Sequence, residues 1–208
     1  MPLKKKPRLG RPPSSDSADT RRRILDSARV TFANFGYGAT TNRVLAQQAG
    51  VTTAALYHYF DSKMTLYCDV YDEAQERIYA RFQSAIAGLP GFLDRFEAVL
   101  EAAHQLNHED PSLARFVGAA RIDMIRYEEV RVATLPAAKR FRFFFDLVTD
   151  AVKRGEVDRS DQAAVLVLLR AVLIGLTDAV SQNDNEHRLA VNAFSSMFEG
   201  KPLIKRLA

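Results

Sequence analysis

Thr52, Thr53, Tyr57 and His58 crowd one short stretch, with Thr41, Arg43 and Lys63 on either side. Threonine hydroxyls can donate or accept, and their methyls can meet a thymine methyl. Arg43 can give a bidentate pair to guanine or bind a phosphate. Tyr57 and His58 can donate to phosphate oxygens, and Ala54 is small enough to let backbone approach base edges. This is the chemistry of recognising a polyanion, not of breaking bonds. A second set is Glu101, His104 and His108, which has the E-x-x-H spacing of a carboxylate-bridged metal site. Such sites need a second copy of the motif on a facing helix, and the sequence has none, so a solvated helix end is the preferred reading. No G-x-S-x-G, H-E-x-x-H, P-loop or G-x-G-x-x-G occurs. No enzyme, metal or cofactor is therefore expected, with the Glu101/His104/His108 set the one alternative.

The elements that must hold the first set are a pair of short helices. The first is predicted over Thr41–Gln48, with Val44, Leu45 and Ala49 apolar at helical spacing. Gly50 can take positive φ and reverse the chain. Thr52 is a good N-cap for the next helix, Thr53–Tyr59, which turns Leu56 and Phe60 inward and leaves Thr53, Ala54, Tyr57 and His58 outside. Asp61 or Ser62 caps the helix after that. Two helices joined this way make a helix-turn-helix, whose second helix can enter a major groove.

Composition and charge agree. The chain has 208 residues, is 47% hydrophobic and 26% charged, and contains only 10 Gly and 8 Pro. With long helical periodicities, this predicts an all-α fold. Net charge is +4, yet the first 23 residues alone carry eight Lys and Arg against two Asp. The basic end lies beside the helix-turn-helix, as a nucleic-acid partner requires. Residues 1–18 lack periodicity and read as a disordered basic arm in which Arg8 and Arg11 could follow a minor groove. Arg21, Arg22 and Arg23 oppose the helix dipole at the start of a helix predicted over Thr20–Phe35, which suggests phosphate contact. That helix has Ile24, Ala28, Phe32 and Phe35 on one stripe. Cys68 is the only cysteine, so no intrachain disulfide can form, which suits a reducing cytoplasm. No membrane span is expected, because the most apolar run, 163–180, is interrupted by Arg170 and Asp178.

The run Gly36–Tyr67 resembles the DNA-binding domain of TetR-type transcriptional regulators. The resemblance rests on Gly36, Thr40, the Ala46…Ala49-Gly50-Val51 turn, Leu56-Tyr57-x-Tyr59-Phe60 and Ser62-Lys63-x-x-Leu66. It implies a helix-turn-helix domain over 19–66, a helical ligand-binding and dimerisation domain over 67–200, and a tail over 201–208. It also implies a homodimer on a palindromic double-stranded operator, released by a small-molecule effector. Thr41, Arg43, Thr52, Thr53, Ala54, Tyr57, His58 and Lys63 fall where such proteins usually contact DNA. The sequence departs from many relatives in having Thr53-Ala54-Ala55 where a basic or larger polar residue is common.

Further helices are predicted over 61–87, 92–108, 112–132, 136–154, 161–180 and 186–198. The helix over 136–154 is crowded by phenylalanines. The one over 161–180 is apolar nearly all round, which implies a partner beyond one monomer's core. In TetR-type proteins the last two helices pair across the dimer, which places Val165, Leu169, Val172, Leu173 and Leu176 at the interface. Helical phase suggests Phe96, Phe116, Arg121, Met124 and Phe144 for a pocket taking an apolar or aromatic effector. An architectural DNA binder without effector, or an activator, remain alternative readings.

Overall fold

The computed structural model describes residues 13–135, 139–178, 183–198 and 200. Among them are ten helices and no strand: α1 (Pro13–Ala39), α2 (Asn42–Gln48), α3 (Thr53–Tyr59), α4 (Lys63–Ile86), α5 (Phe92–Glu109), α6 (Pro111–Arg126), α7 (Glu128–Thr134), α8 (Lys139–Lys153), α9 (Gln162–Asp178) and α10 (Asp184–Phe198). The all-α expectation holds. α1 begins at Pro13, earlier than expected; proline suits a first turn because the N–H it lacks would have no partner there. Ile24, Leu25, Ala28 and Phe32 form its buried stripe. Phe35 does not join them and is 59% exposed. It adjoins Gly36, whose backbone (φ 71, ψ 175) kinks the helix out of its packed course.

The helix expected over 112–132 is two. Tyr127 is extended (φ −125, ψ 107) and divides α6 from α7. Its ring packs edge-on against Tyr37, 5.9 Å between centroids, at the end of α1. Ile125 faces outward.

α1, α2 and α3 cluster around Leu45, Ala46, Leu56 and Phe60. α1 lies along α6 and α4, α4 packs on α5, and α5 receives α10. One continuous apolar core joins the helix-turn-helix to the C-terminal helices through Phe32, Tyr67, Val70, Phe116 and Ala120. α4 crosses from one part into the other without a break.

Candidate nucleic-acid interface

Three hydroxyls set the frame. Thr41 Oγ1 accepts from Val44 N at 3.3 Å, Thr52 Oγ1 from Ala55 N at 3.1 Å, and Ser62 Oγ from Thr65 N at 3.0 Å. Each satisfies an early N–H of its helix and fixes where α2, α3 and α4 begin. Between α2 and α3, Gly50 takes φ +65. Its N–H donates to Gln47 O at 3.1 Å, and Val51 N–H donates back to Ala46 O at 2.9 Å. That paired closure needs a left-handed residue, and glycine adopts it without a Cβ penalty.

Leu56 and Phe60 are buried, so the opposite face of α3 is fixed. Thr52, Thr53, Ala54, Tyr57 and His58 are exposed, and so are Thr41 and Arg43. Tyr57 Oη accepts a 2.6 Å hydrogen bond from Asn42 Nδ2, which joins α2 to α3 across the turn. Asn42 escaped the sequence reading, although a polar residue just inside the N-cap of the supporting helix was a usable signal. Arg8 and Arg11 lie outside the described residues. Arg22 and Arg23 are exposed, whereas Arg21 pairs with Asp69 at 2.5 Å and lies 5.1 Å over the Phe60 ring.

Lys63 differs from expectation. Its ammonium is not turned outward. It donates to Tyr37 O at 2.8 Å and Thr40 O at 2.9 Å and sits 4.1 Å from the Tyr37 ring centroid. It closes the C-terminal end of α1, where exposed carbonyls favour a cation. Burial pulls its pKa below the ordinary lysine value, against the opposing pull of Asp123 and Glu129.

The joint behind this surface is made by α6. Asp123 is buried and accepts from Tyr37 N at 2.9 Å and from Tyr67 Oη at 3.0 Å. Burial first, then the Asp123 charge, pushes the Tyr67 phenol well above its ordinary pKa. At the start of α6, Asp110 accepts from Arg29 of α1 at 2.8 Å, Arg77 of α4 at 2.6 Å and Ser112 at 2.6 Å. Burial alone would raise its pKa. The hydrogen bonds from Ser112 and Arg29, with the Arg29 charge, prevail and hold it well below the usual carboxylate range.

The same α6 lines a cavity of about 750 Å³ bordered by α4, α5, α6, α8, α9 and α10 and open to solvent beside Phe145 and Val167. That size suits a small organic ligand. Of the residues predicted for a pocket, Arg121 and Phe144 line it. Phe96 and Phe116 are fully buried core instead, and Met124 packs against that core. Phase gave an inward direction but not which interior the residue meets. Arg121 forms an ion pair with Asp178. Gln75, Ile78, Tyr79 and Phe82 of α4 were missed; Gln75, a polar residue in that apolar stripe, was the available signal.

The Glu101/His104/His108 set is dispersed. Glu101 pairs with Arg188, whose hydrogen bond lowers its pKa. His104 is buried rather than solvated and meets His187 Nδ1 to Nδ1 at 3.0 Å, while His108 is exposed. Among the described residues no three His, Cys, Asp or Glu side chains converge on a metal position. Cys68 is half-buried, and burial, then Asp72 and Asp69, raise its thiol pKa.

On α9, Leu169, Val172 and Leu176 are buried in their own protomer, Val165 packs against that core, and Leu173 lines the cavity. The exposed apolar residues are instead Val167, which also borders the cavity, and Leu168, with Leu189 and Met197 on α10. Of the residues expected at a dimer contact, Leu169, Val172 and Leu176 therefore face inward, while Val165 and Leu173 are half-buried. The helix is apolar on both sides, and phase alone does not say which side its own protomer covers. Among the described residues no helix is long and apolar enough to cross a membrane.

A family profile described as "Bacterial regulatory proteins, tetR family" matches residues 24–69. The chain is 32% identical to the HTH-type transcriptional repressor Rv1474c of Mycobacterium tuberculosis over 65% of its length and 81% of that protein. It is 28% identical to the HTH-type transcriptional regulator UidR of Escherichia coli over 86% of its length and 88% of the other. The fold is similar to that of the transcriptional regulator FadR of Bacillus subtilis, solved in complex with stearoyl-CoA, with a TM-score of 0.73 at 19% identity over 87% of this chain and 98% of that one.

Proposed function

The chain belongs to the tetR family of bacterial regulatory proteins, and on that premise we propose that it is a repressor that binds an inverted-repeat operator as a homodimer and leaves it when a small molecule fills the cavity. The observation that carries the reading is the exposed face of α3, held by capped ends and a buried reverse side. Residues 19–66 serve as the reading unit and 67–200 as the sensing and pairing unit. Thr52, Thr53 and Ala54, at the N-terminal end of α3, meet base edges. Arg43 adds a guanine or phosphate contact, and Thr41, Tyr57 and His58 hold the backbone. Arg22 and Arg23, with Arg8 and Arg11 ahead of them, supply the salt-dependent attraction. Lys63 supports the surface from behind. Val167, Leu168, Leu189 and Met197 form the contact with a second copy. These assignments make binding, not catalysis, the work of the chain.

Coupling runs through α6, which touches the cavity with Arg121 and Val117 and α1 with Asp123. A ligand that prefers one setting of α6 by about 1–3 kcal/mol suffices to lower operator affinity by about 5- to 150-fold. The test is selection from random-sequence DNA at about 0.15 M salt, physiological ionic strength. We expect an inverted repeat to be enriched, and Arg43→Ala and Tyr57→Ala to lose it while the dimer stays folded. Binding without a motif would leave an architectural role instead.

A further inference from the structure

Gln75 sits in the middle of α4, on the stripe of Tyr71, Ala74, Ile78 and Phe82, and is 2% exposed. Its neighbours on that stripe are aliphatic or aromatic. Its side chain borders the cavity, and among the described residues its Oε1 has no hydrogen-bond partner. A buried amide oxygen left unmatched is a standing cost to the fold, and a leucine or methionine would fill the same place without it. The cost is removed if the missing partner arrives with a ligand.

The surroundings restrict what that ligand is. Ile78, Tyr79, Phe82, Val117 and Phe144 make the walls, so its bulk is apolar. The Tyr79, Phe82 and Phe144 rings meet one another edge-on or tilted, 5.7–6.4 Å between centroids, and form an aromatic end. Three arginines border the space, Arg121, Arg142 and Arg170, against the single carboxylate Asp178, which Arg121 already neutralises. A cationic ligand would meet net positive charge. Arg142 is 85% exposed and pairs with Asp146 at 3.6 Å, so it marks the solvent edge and not the depth of the site. The buried polar side chains of the lining are the Gln75 and Asn107 amides and His187, with no carboxylate or guanidinium among them. An amide oxygen accepts and an amide NH₂ donates, and a hydroxyl can answer either.

We propose that the cavity takes an uncharged, largely apolar, ring-bearing molecule with a hydroxyl group, and that the Gln75 amide holds that hydroxyl. This rests on the cavity being the effector site. Discrimination follows from the same chemistry. A ligand with the hydroxyl capped leaves the amide unmatched and also excludes water from it, which makes the capped ligand weaker by about 5- to 10-fold.

The test uses the full-length protein with the fluorescent probe anilinonaphthalene sulfonate. Displacement is measured with para-pentylphenol, its methyl ether para-pentylanisole, and para-pentylbenzylamine. The phenol is expected to displace the probe at about 5- to 10-fold lower concentration than the ether, with the amine weakest. In Gln75→Met, and independently in Gln75→Leu, the ratio of phenol to ether should fall to about one. Equal displacement by phenol and ether in the natural protein overturns the proposal. So does a ratio that survives both substitutions in proteins that keep their native melting transition. Val117→Trp separates the two levels, because its indole takes up space inside the cavity and should weaken or abolish probe binding. If probe and competitors bind Val117→Trp unchanged, the cavity is not the site and the effector reading fails with the proposal. If Val117→Trp weakens or abolishes binding but phenol and ether remain equal, only the hydroxyl assignment fails.

Discussion

Asp123 connects the two halves of the molecule with one carboxylate. Its Oδ2 takes both the Tyr37 N–H and the Tyr67 hydroxyl, so neither donor can be served elsewhere without moving α1 or α4. Asp123→Leu keeps roughly the size but carries no acceptor, so the Tyr37 N–H and the Tyr67 hydroxyl both lose their partner. We expect a loss of about 2 kcal/mol in urea unfolding, the range for an unmatched buried hydrogen bond. An unchanged midpoint would mean that the carboxylate is not shared as described. The buried imidazoles make a second residue-scale prediction. At 3.0 Å, His104 Nδ1 and His187 Nδ1 cannot both carry a proton, so one donates and the other accepts. Burial, then the neighbouring His104, hold the His187 pKa below its ordinary value of 6.5, against the pull of Asp184. A depressed folded pKa means that the unfolded chain binds the proton more readily. The stability that His187 contributes is therefore complete above pH 6.5 and is lost as pH falls toward its folded value. Stability should drop as pH falls below about 6.5, by no more than about 1.4 kcal/mol per pH unit for one proton, and the fall in melting temperature that reports it should shrink in His187→Asn. Asp110, held low by Arg29, Arg77 and Ser112, adds its own loss only below the ordinary aspartate value of 3.8 and leaves that window clear.

The end of α1 is where elements meet most closely, and two glycines allow it. Gly36 has φ +71 with ψ 175, a region closed to side chains, and a Cβ there would also lie 3.1 Å from Asp123 Oδ1. At Gly38 a Cβ would fall 2.0 Å from Tyr127 Oη and 2.6 Å from Cζ, so the ring would have to leave Tyr37. Gly36→Ala should cost about 1–3 kcal/mol through backbone strain. Gly38→Ala should cost a similar amount through displaced packing. They separate in a second measurement: Tyr127→Ala makes room for a methyl at position 38 and should restore most of the loss for Gly38→Ala, but none for Gly36→Ala. The same joint shows what the amino-acid order could and could not reveal. α2, the Gly50 turn and α3 were legible nearly to the residue, because Thr52, Gly50, Leu56 and Phe60 act over a few positions through caps and local phase. The break at Tyr127 was not, because it depends on Gly38 and Tyr37, far off in the chain. Lys63 was misplaced for the same reason: its partners are the carbonyls of Tyr37 and Thr40, and helical phase says nothing about what a long side chain can reach. The cavity was half legible. Arg121 and Phe144 were placed on it, whereas Phe96 and Phe116 looked alike in sequence and proved to be core.

At the scale of the whole molecule the question is which face of the last helices meets a second copy. α9 presents Val167 and Leu168 to solvent while Leu169, Val172 and Leu176 fill its own protomer, and α10 adds exposed Leu189 and Met197. In a two-fold interface each residue acts twice, so a charge placed there is opposed by its own copy. Leu168→Glu with Leu189→Glu should therefore convert the protein to a monomer in sedimentation. Ile125→Glu, on the exposed face of α6, should leave the dimer intact. The consequence for DNA is quantitative. A dimer neutralises the phosphates of two half-sites together, and the logarithm of affinity falls with the logarithm of salt in proportion to the phosphates engaged. A monomer engages one half-site, so its salt slope should be about half that of the dimer, and the preference for two half-sites about one helical turn apart should vanish. If the double variant is monomeric and keeps the full slope, the two recognition surfaces do not act together on one operator. If it stays dimeric, the contact lies on another face, and the exposed leucines of α9 and α10 need a different partner.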